Sequence, residues 1–268
     1  KVLDTINKHK LISRDDKVVV AASGGKDSTV VLDILSRNFR NVAAANIDAG
    51  IEKYSSENLK NLRGFCKERE IKLHEYSFKK EIGYNLPEVQ KIVKRKKIRG
   101  SACTICGIMK RYVLNKKVRQ LKATKIATGH NLDDEAQSVM MNILRGNTEL
   151  LSRLGPKTGL VRDARFIARI KPLYFCSEKD AERYSKLEGF PVIYSRCPFS
   201  ADAYRNTLRN LLVEDKVKEN VVKFFIRNSE RIKKEYSTKE QPNLCVGCGE
   251  AAQGKECKAC EIIRLLKR

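Results

Sequence analysis

The chain has 268 residues and carries 55 Lys+Arg against 32 Asp+Glu, a formal net charge of +23, which is too basic for an ordinary metabolic enzyme and points to a polyanion such as nucleic acid. A hydrophobic fraction of 41% with only 15 Gly and 6 Pro excludes disordered, collagen-like and low-complexity classes. No apolar run approaches the roughly 18 to 20 residues of a membrane span, and the opening KVLDTINKHK lacks a signal peptide's apolar stretch, so a cytoplasmic protein without a membrane partner is expected.

The pattern opens with an amphipathic segment (Val2, Leu3, Ile6) and a polar turn at 13–16, so residues 1–16 read as a helix and linker. KVVVAA (17–22) is a continuous apolar run suited to a strand buried on both faces of a parallel sheet. S-G-G-K-D-S follows, then TVVLDIL, whose Val30, Val31, Ile34 and Leu35 recur at helical spacing. NVAAANID (41–48) predicts a second strand, SSENLKNLRGFCKERE (55–70) a helix with a Ser cap, and KLHEYSF (72–78) a third strand. After the basic stretch 91–100, residues 107–122 predict a helix and KIATGH (125–130) a fourth strand. DDEAQSVMMNIL stacks Ala136, Val139, Met140, Ile143 and Leu144 on one face, with acids at its N-terminus where the helix dipole favours them. Residues 146–175 are less periodic and, with Arg145 just ahead of them, Arg-rich (Arg153, Arg162, Arg165, Arg169); 177–235 returns to helices around one short strand, GFPVIYS, and Gln241-Pro242 breaks the pattern. Alternating strands and helices imply an α/β fold with a doubly wound parallel sheet over 17–236, followed by a small cysteine-rich module at 241–268. Ligands then belong at the carboxyl ends of the strands.

Residues 23–28 lie between a buried strand and a helix start. Two glycines let the backbone curl round an anion, and the helix N-terminus and two hydroxyls supply donors, so the turn reads as a phosphate cradle. It matches neither G-x-x-x-x-G-K-[ST] nor G-x-G-x-x-G, which weighs against γ-phosphoryl transfer and dinucleotide binding; an ordinary βα turn gives no reason for the whole hexapeptide.

Nine cysteines make an odd number, and six of them form C-x-x-C pairs, which outside secretion read as metal ligation or thiol chemistry rather than disulfides. Cys103 and Cys106 precede a predicted helix, whose N-terminus lowers thiol pKa values; a redox dithiol, half a zinc site and two ligands of an iron–sulfur cluster all remain open. Cys197, in Y-S-R-C-P-F, is the natural third thiol, with a buried free cysteine as its bland alternative. Cys245-x2-Cys248-x8-Cys257-x2-Cys260 is a four-thiolate zinc spacing that would supply the folding energy so short a segment lacks. Its Lys255, Lys258, Lys267 and Arg268 could face phosphate, or the module could be a structural clamp. His9 and His74 read as surface or edge residues, Cys66 and Cys176 as packing, and Lys94–Lys97 as either a solvated helix face or an RNA contact.

SGGKDS after an apolar strand resembles the PP-loop of the N-type ATP pyrophosphatases, HUP-like enzymes that cleave ATP between the α and β phosphates and adenylate a substrate oxygen. The resemblance implies ATP and Mg2+ at Ala22, Ser23, Gly24, Gly25, Lys26, Asp27 and Ser28, at Asp48 ending the second strand, and at Gly129, Asn131 and Asp133 of A-T-G-H-N-L-D-D. C-T-I-C-G-I-M-K-R-Y-V-L-N resembles the cluster motif of the TtuA/NcsA-type tRNA 2-thiouridine synthetases, G-H-N-L-D-D-E-A-Q their second ATP motif, and the terminal cysteines their zinc finger. That likeness implies a 4Fe-4S cluster on Cys103, Cys106 and Cys197 with one iron open to hold a hydrosulfide, Lys110 and Asp134 as the catalytic pair, Zn2+ on the last four cysteines, and a homodimer. It also implies an N-terminal zinc finger, whose place would be ahead of Lys1.

The reading is an ATP-dependent tRNA sulfurtransferase that adenylates a uridine C2 oxygen and replaces it with sulfur, wobble uridine 34 being preferred over T-loop uridine 54. The sulfur donor is left open between sulfide, a persulfide and a thiocarboxylated ubiquitin-like protein. The alternatives are cytidine 2-thiolation, lysidine synthesis, or a non-catalytic zinc-ribbon RNA-binding protein with a regulatory nucleotide site.

Overall fold

The computed structural model describes residues 1–97, 100–159, 167–199, 203–236, 243–252 and 254–267. Arg162, Arg165, the Gln241-Pro242 break and Arg268 lie outside the described residues. The chain runs α1 (Val2–Lys8), β1 (Val18–Ala21), α2 (Lys26–Asn38), β2 (Val42–Asp48), α3 (Glu52–Glu68), β3 (Leu73–Ser77), α4 (Phe78–Ile82), α5 (Leu86–Arg95), α6 (Ala102–Gln120), β4 (Lys125–Ala127) and α7 (Leu132–Leu144). It continues through α8 (Thr148–Ser152), β5 (Lys157–Thr158), β6 (Ala168–Ile170), α9 (Glu178–Leu187), α10 (Ala203–Leu211), α11 (Asp215–Tyr236), β7 (Asn243–Leu244), β8 (Ala251–Ala252) and α12 (Lys258–Lys267).

The main sheet has the order β3-β2-β1-β4-β6-β5, parallel throughout except for the antiparallel edge pair β5–β6. Strand β1 shows why the sheet is doubly wound: Val18, Val19 and Val20 are all fully buried, but they face two different cores. Val18 and Val20 pack with Ile6, Val31, Leu35 and Leu62 of α1, α2 and α3, whereas Val19 packs with Leu114 and Val118 of α6. Three β-branched side chains covered on both faces stabilise the strand by roughly 1.5–3 kcal/mol each. The order reverses between β2 and β4 on either side of β1, so the crevice at the carboxyl end of β1 is the topological switch point.

Several sequence-based expectations shift. The Cys103–Cys106 pair lies within the first turns of α6 rather than before it, because Ser101 caps the helix by accepting from Thr104 N–H at 3.2 Å. Ser55 is not the cap of α3; that helix starts at Glu52, and Ile51 N–H donates to the Ser55 hydroxyl at 3.0 Å from inside the first turn. The expected strand at GFPVIYS is irregular: Pro191 has no N–H to offer a ladder, and Val192 N–H bonds Phe190 O at 2.8 Å in a local turn. Strands β5 and β6 extend the sheet inside the Arg-rich stretch, where segments this short leave no apolar run to read. On α7, Ala136 and Val139 are buried as expected, but Ile143 and Leu144 at its end are 48% and 59% exposed.

Candidate active site and metal centres

The turn after β1 is a built cradle. Ala22 is anchored on both sides, its N–H donating to Ala45 O at 2.9 Å and its carbonyl accepting from Asn46 Nδ2 at 2.8 Å. Ser28 Oγ accepts from Ser23 N–H at 3.1 Å and donates to Gly25 O at 3.0 Å, and the Ser23 and Ser28 hydroxyls lie 3.1 Å apart. Gly25 is the N-cap of α2 and offers no side chain to its first turn, so the helix start is left to an anion. Gly24 sits at φ +82°, and a Cβ there would lie 2.5 Å from Asn58 O, so α3 closes over the loop only because the residue is glycine. Gly129 does the same from the other side, since its Cβ would lie 2.7 Å from Ser28 N.

Asn131 joins the two strand ends. It caps α7 reciprocally with Asp134, and its Nδ2 donates to Asp27 Oδ1 at 3.1 Å. Lys26 Nζ bridges Asp27 Oδ2 at 2.8 Å and Glu178 Oε1 at 3.0 Å. Burial pushes the Asp27 carboxyl above its usual range, while Lys26 and Asn131 pull it down. Asp133 is spent on structure: Oδ2 accepts from Glu178 N–H at 2.7 Å and Oδ1 pairs with Lys218 at 2.5 Å, tying α7 to α9 and α11. Asp48 ends β2 at the same sheet edge, with Oδ1 accepting from Gly50 N–H at 2.7 Å. Asp134, a quarter exposed, is the partner of Arg205 at 3.4 Å. Glu178, Arg205 and His130 were not legible as site residues. Glu178 announces a helix start after Ser177, but nothing in the sequence ties it to Lys26.

The three thiols expected to act together share a neighbourhood, but among the described residues it is the four C-terminal cysteines that bring their sulfurs within 4.8 Å of one another. Burial pushes the Cys106 thiol up, Lys110 and Arg111 pull it down, and Cys103 and Cys197 lie close enough to add to the rise. Cys103 is exposed, Cys106 and Cys197 are half-buried, and Cys197 packs against the same apolar cluster as Cys106 and Tyr54. Thiols from two distant stretches of the chain thus stand near the cations Lys110 and Arg111, surroundings that favour thiolate. His130 faces solvent within the crevice, its Nδ1 2.8 Å from the Thr128 hydroxyl. The surrounding protein lowers its pKa; Asp134 opposes this, and Lys171, Arg205 and Arg111 reinforce it.

The sulfurs of Cys245, Cys248, Cys257 and Cys260 all lie within 4.8 Å of one another. A Zn–S4 tetrahedron needs S···S edges of about 3.8 Å, and Cys248 Sγ and Cys257 Sγ are 3.6 Å apart. Burial alone would raise the Cys245 thiol, but N–H donors, that of Cys257 at 3.2 Å among them, bring it down to about 6. The module is docked on the main domain. Tyr84 Oη donates to Leu266 O at 3.3 Å, Lys96 Nζ to Leu265 O at 2.9 Å, and Glu250 pairs with Arg119 of α6. Lys96 of the basic run is thereby engaged by α12, and Lys258 pairs within α12 with Glu261 at 2.8 Å. His74 lies on the edge strand β3, His9 stacks on Phe175 with ring centroids 5.4 Å apart, and Cys66 and Cys176 are buried as expected.

A parallel sheet with a phosphate cradle at its switch point defines a PP-loop nucleotide-binding protein, and the family described as a PP-loop domain matches residues 1–216. A tRNA-5-methyluridine(54) 2-sulfurtransferase of Pyrococcus horikoshii is 34% identical over 272 residues, spanning 100% of this chain and 84% of that protein. A cytoplasmic tRNA 2-thiolation protein 1 of Drosophila ananassae is 33% identical over 273 residues, spanning 98% of this chain and 78% of that protein. Among solved structures, the U34-tRNA thiolase NcsA from Methanococcus maripaludis, with its 4Fe-4S cluster, superimposes with a TM-score of 0.77 at 27% identity, covering 98% of this chain and 86% of that one. The chain belongs to this PP-loop family of tRNA 2-sulfurtransferases. Among the described residues, no helix is long and apolar enough to cross a membrane.

Proposed function

We propose that the protein uses ATP to adenylate the C2 oxygen of a tRNA uridine and replaces that oxygen with sulfur, giving 2-thiouridine. The observation that carries the reading is continuity: Asn131 ties the cradle at Asp27 to Asp134, His130 feels Asp134 and Arg111, and Arg111 stands beside Cys106. This continuity supports reading cradle and thiols as parts of one crevice.

A C2 oxygen is a poor leaving group, so it first attacks the α-phosphorus of ATP; the new O–P bond forms as the bond to the β-phosphate oxygen breaks. Departing pyrophosphate is received by the first N–H groups of α2, the Ser23 and Ser28 hydroxyls and Lys26, which Asp27 and Glu178 hold in line. Asp27 is the cradle carboxylate able to meet Mg2+, and Asp48 and Gly129 stand at the strand ends where the rest of the nucleotide would lie. Sulfur then adds to C2 and AMP departs. Lys110 and Asp134 orient the base and move protons in these steps. The 4Fe-4S cluster, when bound by Cys103, Cys106 and Cys197, would supply an open iron at which sulfur is delivered; with sulfide or thiocarboxylate sulfur the substitution needs no net redox change, whereas a persulfide donor needs two electrons from a thiol that ends as a disulfide. Zn2+ on Cys245, Cys248, Cys257 and Cys260 would close the C-terminal module. The partners of this reading are tRNA, a donor of sulfide, persulfide or thiocarboxylate sulfur, and a second copy in a homodimer, in the cytoplasm. Wobble uridine 34 is the proposed target, because an anticodon-loop base can be splayed into a crevice more cheaply than a T-loop base packed in the tRNA core.

The test is anaerobic reconstitution of the full chain followed by nucleoside analysis and positional mapping of tRNA. Cys103→Ala, Cys106→Ala and Cys197→Ala should each lower 2-thiouridine at least about a thousandfold, on the order of 4 kcal/mol of barrier. Retained product in any of the three rejects the three-thiol centre, and product at uridine 54 rejects the wobble assignment.

A further inference from the structure

We propose that Lys218 of α11 is a positioning residue for Lys26, the cradle lysine, and acts on it through Asp133 and Glu178. The proposal rests on the reading of the cradle as the seat of the ATP phosphates and deepens it, by carrying the machinery of that site to a helix near the end of the main domain.

The contacts run in one unbroken line. Lys26 Nζ lies 2.8 Å from Asp27 Oδ2 and 3.0 Å from Glu178 Oε1. Glu178 opens α9, and its N–H donates to Asp133 Oδ2 at 2.7 Å. The other oxygen of Asp133 takes Lys218 Nζ at 2.5 Å, and the same ammonium reaches Asp215 Oδ1 at 3.0 Å. The start of α7 grips the approach to α9 a second time, since Leu132 N–H donates to Cys176 O at 2.8 Å. The tie that Asp133 makes between α7, α9 and α11 thus ends on the cradle. Rotation of the Asp133 carboxylate would displace the N–H from which Glu178 sets out toward Lys26.

A merely cementing role explains this line poorly. A buried ion pair adds little net stability over apolar residues of the same size. Nor is it needed to dock α11 on α7, because Leu132 and Ala136 of α7 already pack with Val222 of α11. What the pair adds is direction. The side chains of Lys218 and Asp133 are only 8% and 10% exposed, so water cannot stand in for either partner. Burial pulls the Lys218 ammonium down, but Asp133 and Asp215 more than offset this and hold it above its ordinary range. Lys26 shows the same balance, burial being outweighed by Asp27 and Glu178. Both lysines therefore keep their charge, and Lys218 fixes the carboxylate that fixes the start of α9. On the same helix Lys223 is half exposed and pairs with Glu219 at 2.7 Å, which makes it the control.

The test uses the full chain with its metals reconstituted, and its probe is the α,β-methylene analogue of ATP, which cannot be cleaved between the α and β phosphates. Lys218→Met should weaken binding of the analogue about tenfold and raise KM for ATP by a similar factor, while equilibrium tRNA binding and the iron–sulfur absorbance stay unchanged. Glu178→Gln should give a comparable loss, and the double variant should be no worse than Glu178→Gln alone. Lys218→Arg, which keeps the charge, should recover most of the affinity, and Lys223→Met should lose none. If Lys218→Met does not fold, Lys218→Gln keeps a donor for Asp133 without the charge and should show the same pattern at a smaller loss. Losses that add in the double variant, or a lowered melting temperature beside unchanged analogue binding, would make Lys218 a structural residue only and overturn the proposal. If the unaltered protein makes no thiolated nucleoside, the thiolation reading fails, while binding of the analogue still decides the part played by Lys218.

Discussion

The two groups of cysteines in this chain are built to opposite ends. Cys245, Cys248, Cys257 and Cys260 come from one short segment and lie within 4.8 Å of one another, two of them buried. Cys103, Cys106 and Cys197 come from stretches some ninety residues apart, and Cys103 faces solvent. A complete four-sulfur set leaves a metal no free position and spends its binding energy on folding; a three-sulfur set, as proposed for Cys103, Cys106 and Cys197, would leave one for chemistry. The difference predicts that removing thiols should unfold one region and silence the other.

The largest effect is expected at the closed set. Its apolar residues, Ile262 and Leu266 among them, join the cluster formed by Leu86, Val89 and Met109, but β7 and β8 are only two residues each and make no core of their own. Metal binding to such a segment is worth about 10 kcal/mol or more. Cys257→Ala, or a chelator acting on the intact protein, should therefore melt 243–267 and open it to limited proteolysis while residues 1–236 keep their far-UV signal. Cys103→Ala should leave that protease pattern unchanged. If both substitutions give the same pattern, the contrast between the two sets is wrong.

A smaller effect separates the cradle from an ordinary βα turn. Gly24→Ala must accept φ +82° and a Cβ 2.5 Å from a backbone oxygen of α3, so neither neighbour yields cheaply. The expected cost is about 2–3 kcal/mol in thermal unfolding, with ATP binding lost beyond what that destabilisation explains. Gly25→Ala, whose Cβ would meet the Ser23 hydroxyl at 3.5 Å, should cost much less. Equal losses at the two glycines would mean that the approach of α3 does not shape the loop.

How much of this could be read beforehand follows the range of the interactions. Strand β1 and the glycine turn were legible because a run of valines and a local hexapeptide determine them. The same holds for α7, where Asn131 and Asp134 form a cap within four residues. Cys197 could be joined to the C-x-x-C pair only by ligand arithmetic and family likeness, since Tyr-Ser-Arg-Cys-Pro carries no period. Strand β6 escaped because three residues, one of them Arg169, give no alternation to detect. The Lys26–Glu178 bridge spans half the chain and depends on where α9 lands on α2. Charge pairing of this kind is a property of packing, and residue type alone does not reveal which arginine finds a carboxylate and which is left over.

The finest test compares the two sides of the crevice through one ring. His130 is held below its ordinary pKa of 6.5, first by its surroundings and then by Lys171, Arg205 and Arg111, with Asp134 acting in the other direction. A lowered histidine pKa means that the unfolded chain binds more protons between the folded value and 6.5. Its contribution to stability is therefore complete above 6.5 and is lost as pH falls toward the folded value. Asp134→Asn removes the one opposing charge and should move the His130 midpoint further down in an NMR titration. Arg111→Gln removes a reinforcing charge and should move it up. Shifts of opposite sign would place the carboxylate of the cap and the arginine beside Cys106 on either side of one imidazole. Shifts of the same sign, or none from Arg111, would separate the cradle from the thiols and leave adenylation and sulfur delivery without a common site.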